Sequence, residues 1–142
     1  MAARDFAPGD LVVAITGREV RVPTRYTLQL APGLHVDAEP QPDAVGGYPE
    51  WRFLNHSCDP NTMVRGKTFV ARRAIRRGDE LTFDYESTEW DMATPFSCEC
   101  GSRNCRRMIR GYRHLSGKAR AQLGALTAPH LLTLAVHDSA AS

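Results

Sequence analysis

The chain has 142 residues and a mass of 15.7 kDa, the size of one domain and large enough for a real hydrophobic core. With 42% hydrophobic and 24% charged residues it is neither disordered nor membrane-like, and its longest apolar run, Leu11 to Ile15, is far too short to span a bilayer. A net charge of +2 is too mild to imply nucleic acid by itself, and Met1 to Asp5 lack the apolar stretch of a secretory signal.

In chain order, the first third reads as short strands. Asp10 to Ile15 is β-branched and bounded by Pro8-Gly9 and Gly17. Tyr26 to Leu30 alternates partly and stops at Pro32-Gly33. Pro40 to Pro49 holds three prolines and two glycines and reads as a loop. Thr62 to Val64, a turn at Arg65-Gly66, and Lys67 to Ala71 predict a hairpin. Leu81 to Tyr85 is a further strand, led in by Gly78-Asp79. Only the tail is helical. Leu115, Ala119, Leu123 and Leu126 carry helical spacing over Ser116 to Leu126, and Thr127 to Pro129 start a second helix with Pro in its first turn.

Charge is segregated. Asp79, Glu80, Asp84, Glu86, Glu89, Asp91 and Glu99 form a run without a base. Arg103, Arg106, Arg107, Arg110, Arg113, Lys118 and Arg120 form a run without an acid. The acidic run suits a basic peptide and the basic run suits phosphate; the plainer account is two solvated faces that neutralise each other.

Cys98, Cys100 and Cys105 put three thiols on one short loop. Without an export signal, clustered cysteines point to a reducing compartment and to metal rather than disulfides. Zinc wants four tetrahedral ligands and suits thiolates. Cys58 is the remaining cysteine; if it completes the set, the metal staples the C-terminal segment to the middle of the chain. His56 and His114 are competing ligands, and four reduced thiols or a redox pair are the alternative. Arg52 to Asn61 is dense in polar side chains, and composition alone does not separate local turn-making from function there.

Asn55-His56-Ser57-Cys58-Asp59-Pro60-Asn61, then Gly78 to Tyr85, then Cys98-x-Cys100-x₄-Cys105 occur in order at compatible separations. This resembles the catalytic half of the SET-domain protein-lysine methyltransferases with their post-SET cysteines, over about Tyr26 to Arg107. The resemblance implies a mostly β fold of small curved sheets around a pseudoknot, with a zinc-bound post-SET loop and a helical C-terminal tail. It divides the chain into a SET-like part at 1–97, a post-SET segment at 98–110 and a helical appendage at 111–142. It implies S-adenosylmethionine as cofactor, contacted by Arg52, Asn55 and His56, with Trp90 as an aromatic beside it. Tyr85 is the implied catalytic tyrosine, also beside the cofactor. Phe83 is the position that tunes methyl number, and Tyr26 a wall of the lysine channel. Cys58, Cys98, Cys100 and Cys105 become the ligands of a structural zinc.

The family's upstream Gly-x-Gly strand, which cradles the methionine part of the cofactor, has no counterpart before Asn55. Residues upstream of Met1, a partner subunit, or a loss of catalysis each account for this, and a homodimer is one arrangement it admits. The implied reaction methylates a lysine in a basic protein segment, in the cytoplasm or in a eukaryotic nucleus, with neither membrane nor nucleic acid as partner. The competing readings are a catalytically weak or inactive module that holds a basic tail, and a nucleic-acid binder using Arg103 to Arg113.

Overall fold

The computed structural model describes residues 1–40 and 47–141. Most of the loop expected between Pro40 and Pro49 therefore lies outside the described residues. Among them, ten short strands and two helices occur, joined by single 3₁₀ turns.

The first sheet joins β1 (Leu11–Ala14), β7 (Thr68–Ala71) and β6 (Thr62–Arg65), all antiparallel. Arg65 pairs with Thr68, so the hairpin turn is Gly66-Lys67, one residue later than expected, with Gly66 at a φ of 62°. A first turn position with positive φ is what a tight hairpin needs, and glycine adopts it without strain. The second sheet joins β2 (Arg18–Val20), β4 (Leu34–Asp37) and β3 (Thr27–Ala31). Pro32 and Gly33 turn β3 into β4.

β5 (Asn55–His56) and β8 (Thr82–Phe83) form a parallel ladder with Asn55 opposite Thr82 and His56 opposite Phe83. This short ladder brings the two central motifs side by side. The expected strand from Leu81 to Tyr85 shrinks to β8 because Asp84 caps a 3₁₀ turn at Tyr85–Ser87; its carboxylate accepts the Glu86 N–H at 3.1 Å. β9 (Phe96–Ser97) pairs antiparallel with β10 (Met108–Ile109) around the cysteine loop.

Phe69, Ile75, Leu28, Trp51, Leu54 and Phe83 belong to one apolar core shared by these sheets. A second cluster joins Tyr112, Leu123, Ala128 and Leu131 to Trp90. It holds α1 (Gly117–Leu123) and α2 (Pro129–Ala141) against the segment after Tyr85. Ser116 caps α1 by accepting the Ala119 N–H. Gly124, at a φ of 49°, ends α1 and leads into a 3₁₀ turn through Leu126, so the single helix expected over Ser116 to Leu126 is split. Pro129 opens α2, as its position predicts.

Candidate active site and metal centre

The 3₁₀ turn that carries Tyr85 is fixed on both flanks. Arg106 donates from its guanidinium to Asp84 Oδ1 and, at 2.8 Å, to Glu86 Oε1. Glu86 Oε2 accepts the backbone N–H groups of Arg110 and Gly111 at 3.1 and 2.9 Å. Gly111 is irreplaceable in this geometry, because a Cβ there would lie 2.5 Å from the Trp90 carbonyl oxygen. Asp84 and Glu86 are buried to 1% exposure. Burial raises the Asp84 pKa even beside Arg106, and Asp84 Oδ2 has no hydrogen-bond partner.

These pairs revise the segregated-charge reading. The acidic and basic runs do neutralise each other, but at Asp84, Glu86 and Arg106 they do so inside the protein. Asp91 pairs with Arg113 and His114 at the surface. Asp84 and Glu86 are therefore absent from any acidic face that a basic peptide would meet.

The Tyr85 hydroxyl donates to the Leu54 carbonyl at 2.7 Å, and its ring packs against Phe83, His56 and Phe96 with centroids 4.6, 5.3 and 5.9 Å away. Burial pushes the phenol up to about 12, so the hydroxyl keeps its proton at neutral pH. Both nitrogens of His56 are engaged. Nδ1 accepts the Tyr85 N–H at 3.1 Å, which puts the proton on Nε2, 3.3 Å from Cys58 Sγ. Burial, with the Arg106 charge, pushes the His56 pKa down to about 3. The neutral ring makes its 3.8 Å approach to Asp84 no ion pair. The His56 ring thus ties Tyr85 to Cys58.

Two pockets meet at Tyr85. The larger, about 320 Å³, is lined by Tyr26, Arg52, Phe83, Tyr85 and Glu89 among others. The smaller, about 310 Å³, runs from His56 to Cys98 and Cys100. Asn55, Tyr85 and Phe96 line both. Arg52 stacks over Tyr48 at 3.6 Å and Tyr26 at 4.2 Å from the ring centroids. The Asn55 amide donates to Glu80 at 2.7 Å.

Of the residues expected at a site, the structure brings together Tyr26, Arg52, Asn55, His56, Phe83 and Tyr85. It places Trp90 elsewhere: the indole packs 6.2 Å from Tyr112 in the C-terminal cluster and lines neither pocket. Glu89 and Arg106 lay unnoticed within the charge runs. A weak signal for Arg106 existed in its position directly after Cys105.

The sulfur atoms of Cys58, Cys98, Cys100 and Cys105 lie within 4.8 Å of one another. A tetrahedron with Zn–S bonds of about 2.3 Å has sulfur–sulfur edges of about 3.8 Å, so the four thiols need only a small contraction to hold a metal. Cys58 also receives the Arg106 N–H at 3.4 Å, and Asn104 donates to its carbonyl. Such outer donors orient metal ligands and offset thiolate charge. Neither His56 nor His114 joins the set.

The model of the SET domain family matches residues 1–86. The chain belongs to the SET-domain family. Over 92 residues this SET domain is 44% identical to a protein of Aspergillus flavus named methyltransferase flvH, covering 62% of this chain and 47% of that one. It is 32% identical, over 155 aligned positions, to the H3 lysine-36 specific histone-lysine N-methyltransferase of Yarrowia lipolytica, covering 93% of this chain and 19% of that one. The chain thus spans about half or less of the length of these curated relatives. The methyltransferase domain of human histone-lysine N-methyltransferase SETMAR superposes with a TM-score of 0.53 at 19% identity, covering 77% of this chain and 52% of that one. The structure of KRYPTONITE with mCHG DNA and SAH gives a TM-score of 0.54 at 22% identity, covering 75% of this chain and 25% of that one. At these identities the likeness to solved structures is one of fold. Among the described residues no helix is long and apolar enough to cross a membrane.

Proposed function

We propose that this chain is a protein-lysine N-methyltransferase that draws its methyl group from S-adenosylmethionine. The carrying observation is that Tyr85, Asn55 and Phe96 line both pockets, so ligands held in the two pockets have one phenol as a common neighbour. The names of the relatives support the activity, and the SAH bound in the KRYPTONITE structure supports the cofactor. The site fits such a cofactor: two cavities of drug-sized volume that share lining residues, an aromatic face at Tyr85 for a sulfonium, and Arg52 for a carboxylate.

When bound, S-adenosylmethionine supplies an electrophilic methyl group on a cationic sulfur. This chain's residues supply alignment and dryness. Arg52 and Asn55 hold the cofactor, with His56 bracing the edge of the smaller pocket. Tyr85 keeps its proton and donates to Leu54, which leaves its oxygen lone pairs to orient the substrate amine. Phe83 and Tyr26 wall the amine channel; an apolar wall disfavours the ammonium and favours the nucleophilic amine. Holding the reactants in line is worth several kcal/mol, on the order of 7 in good cases. The four cysteines hold a structural zinc. The substrate is a lysine in a basic protein segment, and histone lysines are the class the relatives' names suggest.

Intact-mass analysis of recombinant histone H3 and of core histones, incubated with protein and methyl donor, tests this reading. Methyl additions of +14 Da that drop at least about a hundredfold in rate in Tyr85→Phe are expected, from lost positioning at the reacting centre. No methylation of any histone, with no S-adenosylmethionine binding by calorimetry, overturns it.

A further inference from the structure

Glu89 is the one carboxylate among the described residues lining the larger pocket. Its Oε2 accepts the Gln29 backbone N–H at 2.9 Å and the Thr88 hydroxyl at 2.7 Å. Among the described residues its Oε1 has no hydrogen-bond partner, and no cationic side chain is paired with either oxygen. The support behind it is rigid. Gln29 is 4% exposed, and its side-chain oxygen accepts the Trp90 N–H at 2.9 Å, so β3 and the 88–90 segment clamp each other reciprocally. Thr88 is 1% exposed, and its carbonyl accepts from His130 of α2 at 2.7 Å. A carboxylate fixed in a pocket without a counter-charge costs stability, and a fold keeps such a group where a ligand completes it.

We propose that Glu89 receives the ammonium group of the substrate amine and takes its proton, as a catalytic base of the reaction proposed above. The balance is simple. The ammonium N–H bond breaks, an O–H bond forms on the Glu89 carboxylate, and the nitrogen keeps the electron pair. That pair then forms the N–C bond to the donated methyl, whose bond to sulfur breaks to leave a neutral thioether and a methylammonium. Glu89 returns its proton to solvent through the pocket mouth.

The surroundings of Glu89 permit this. From the pocket wall it shares the space with Tyr85, Tyr26, Arg25 and Arg52. Tyr85 remains a neutral phenol, and the Arg25 and Arg52 guanidiniums lie over the Tyr26 ring rather than paired with Glu89. From α2, His130 stands behind the Thr88 carbonyl; burial lowers its pKa and that of nearby His35. Neither histidine therefore places a fixed cation beside Glu89. Burial pushes the Glu89 carboxyl up to about 7, where it exchanges protons readily with a desolvated amine near neutral pH.

n-Butylammonium, which carries the end of a lysine side chain, is the probe. Carboxyl carbon NMR on glutamate-labelled protein, with S-adenosylhomocysteine present, should show one resonance that moves on titration at pH 8 and is missing in Glu89→Gln. Glu89→Gln should weaken butylammonium binding by about tenfold or more, the weight of a charge-assisted hydrogen bond. Glu89→Asp, which keeps the charge, should recover part of it, and it serves as the second variant should Gln disturb the fold. The inference rests on the methyltransferase reading, yet the two fail separately. Protein that binds butylammonium through Glu89 but neither methylates a histone nor binds S-adenosylmethionine refutes the activity and keeps this site. An unmoved Glu89 resonance, or kcat/KM for Glu89→Gln equal to wild type from pH 6 to 9, refutes the inference.

Discussion

At position 83 a phenylalanine ring lies 4.6 Å from Tyr85 and 4.9 Å from Phe69 by centroid, in a core position of 7% exposure. Phe83 lines the larger pocket together with Tyr85, so a hydroxyl added to its ring takes up room in the amine channel proposed there. Phe83→Tyr is therefore expected to stop the product at fewer methyl groups, read as loss of the +28 and +42 Da species in substrate mass spectra; an unchanged distribution removes Phe83 from the channel. Glu89 carries a different signature. Its pKa rises from 4.5 to about 7 on folding through burial. Below the lower value both states are protonated, so nothing is lost. Between the two values the native state binds more protons than the unfolded one, and stability falls as pH rises. Above about 7 the whole cost is present. Glu89→Gln should therefore gain roughly 1–3 kcal/mol at pH 8 and nothing at pH 4, measured by urea unfolding. Equal midpoint changes at both pH values would place Glu89 in a better solvated setting. The sequence singled out Phe83, Tyr85 and the four cysteines because each sits in a motif of fixed spacing, and folding sets the first two on one pocket and the four thiols together. Glu89 was not singled out, because one acid in an acidic run carries no mark. Its meaning comes from Gln29, which folding brings up behind it to donate a backbone N–H to its carboxylate.

Among the elements, the 3₁₀ turn at Tyr85–Ser87 and the loop from Cys98 to Gly111 depend on each other. Arg106 links them through two carboxylates that are almost wholly buried, while its own side chain is 12% exposed. Removing one partner of such a buried set strands the others' charge, at a cost of about 3–5 kcal/mol. Arg106→Gln is expected to destabilise the protein by that amount in urea and to shift the near-ultraviolet signal of Tyr85; a loss under about 1 kcal/mol would show the carboxylates reaching water. Several larger elements were readable from residue patterns: the β-branched run with Val12 and Val13 in β1, Pro32-Gly33 after β3, the apolar spacing of α1, Pro129 opening α2; β2 and β4 were not among them. The two-residue strands β5, β8, β9 and β10 were not readable as paired elements. Two residues hold no alternation, and each pairing depends on a partner elsewhere in the chain. Gly124 shows the same limit in a helix: the apolar spacing continues to Leu126, but the backbone turns at the glycine.

For the molecule as a whole, two independent anchors hold the C-terminal third to the rest. The thiol cluster ties Cys58 to Cys98, Cys100 and Cys105 beside Ile109. The helical tail is anchored apart from it: the Ala128 N–H donates to the Ser87 carbonyl at 2.8 Å, and Leu131 is wholly buried beside Tyr112. The described residues from Gly111 onward thus pack as a layer behind the site wall, with Thr88 held between the pocket and His130. This division predicts how the protein answers metal removal. One zinc per chain is expected by elemental mass spectrometry, and stripping it with a chelator should lower the Tm, since metal binding contributes to folding. Hydrogen exchange should then quicken at Cys98, Met108 and Ile109, around β9 and β10, and Arg106 should lose part of its hold on Asp84 and Glu86. Leu131 and its neighbours in α2 should stay protected, because their anchor is apolar packing and hydrogen bonds to the Ser87–Thr88 backbone. If α2 opens together with β10 on chelation, the two anchors are one cooperative unit, and the metal would then govern the whole wall that carries Glu89.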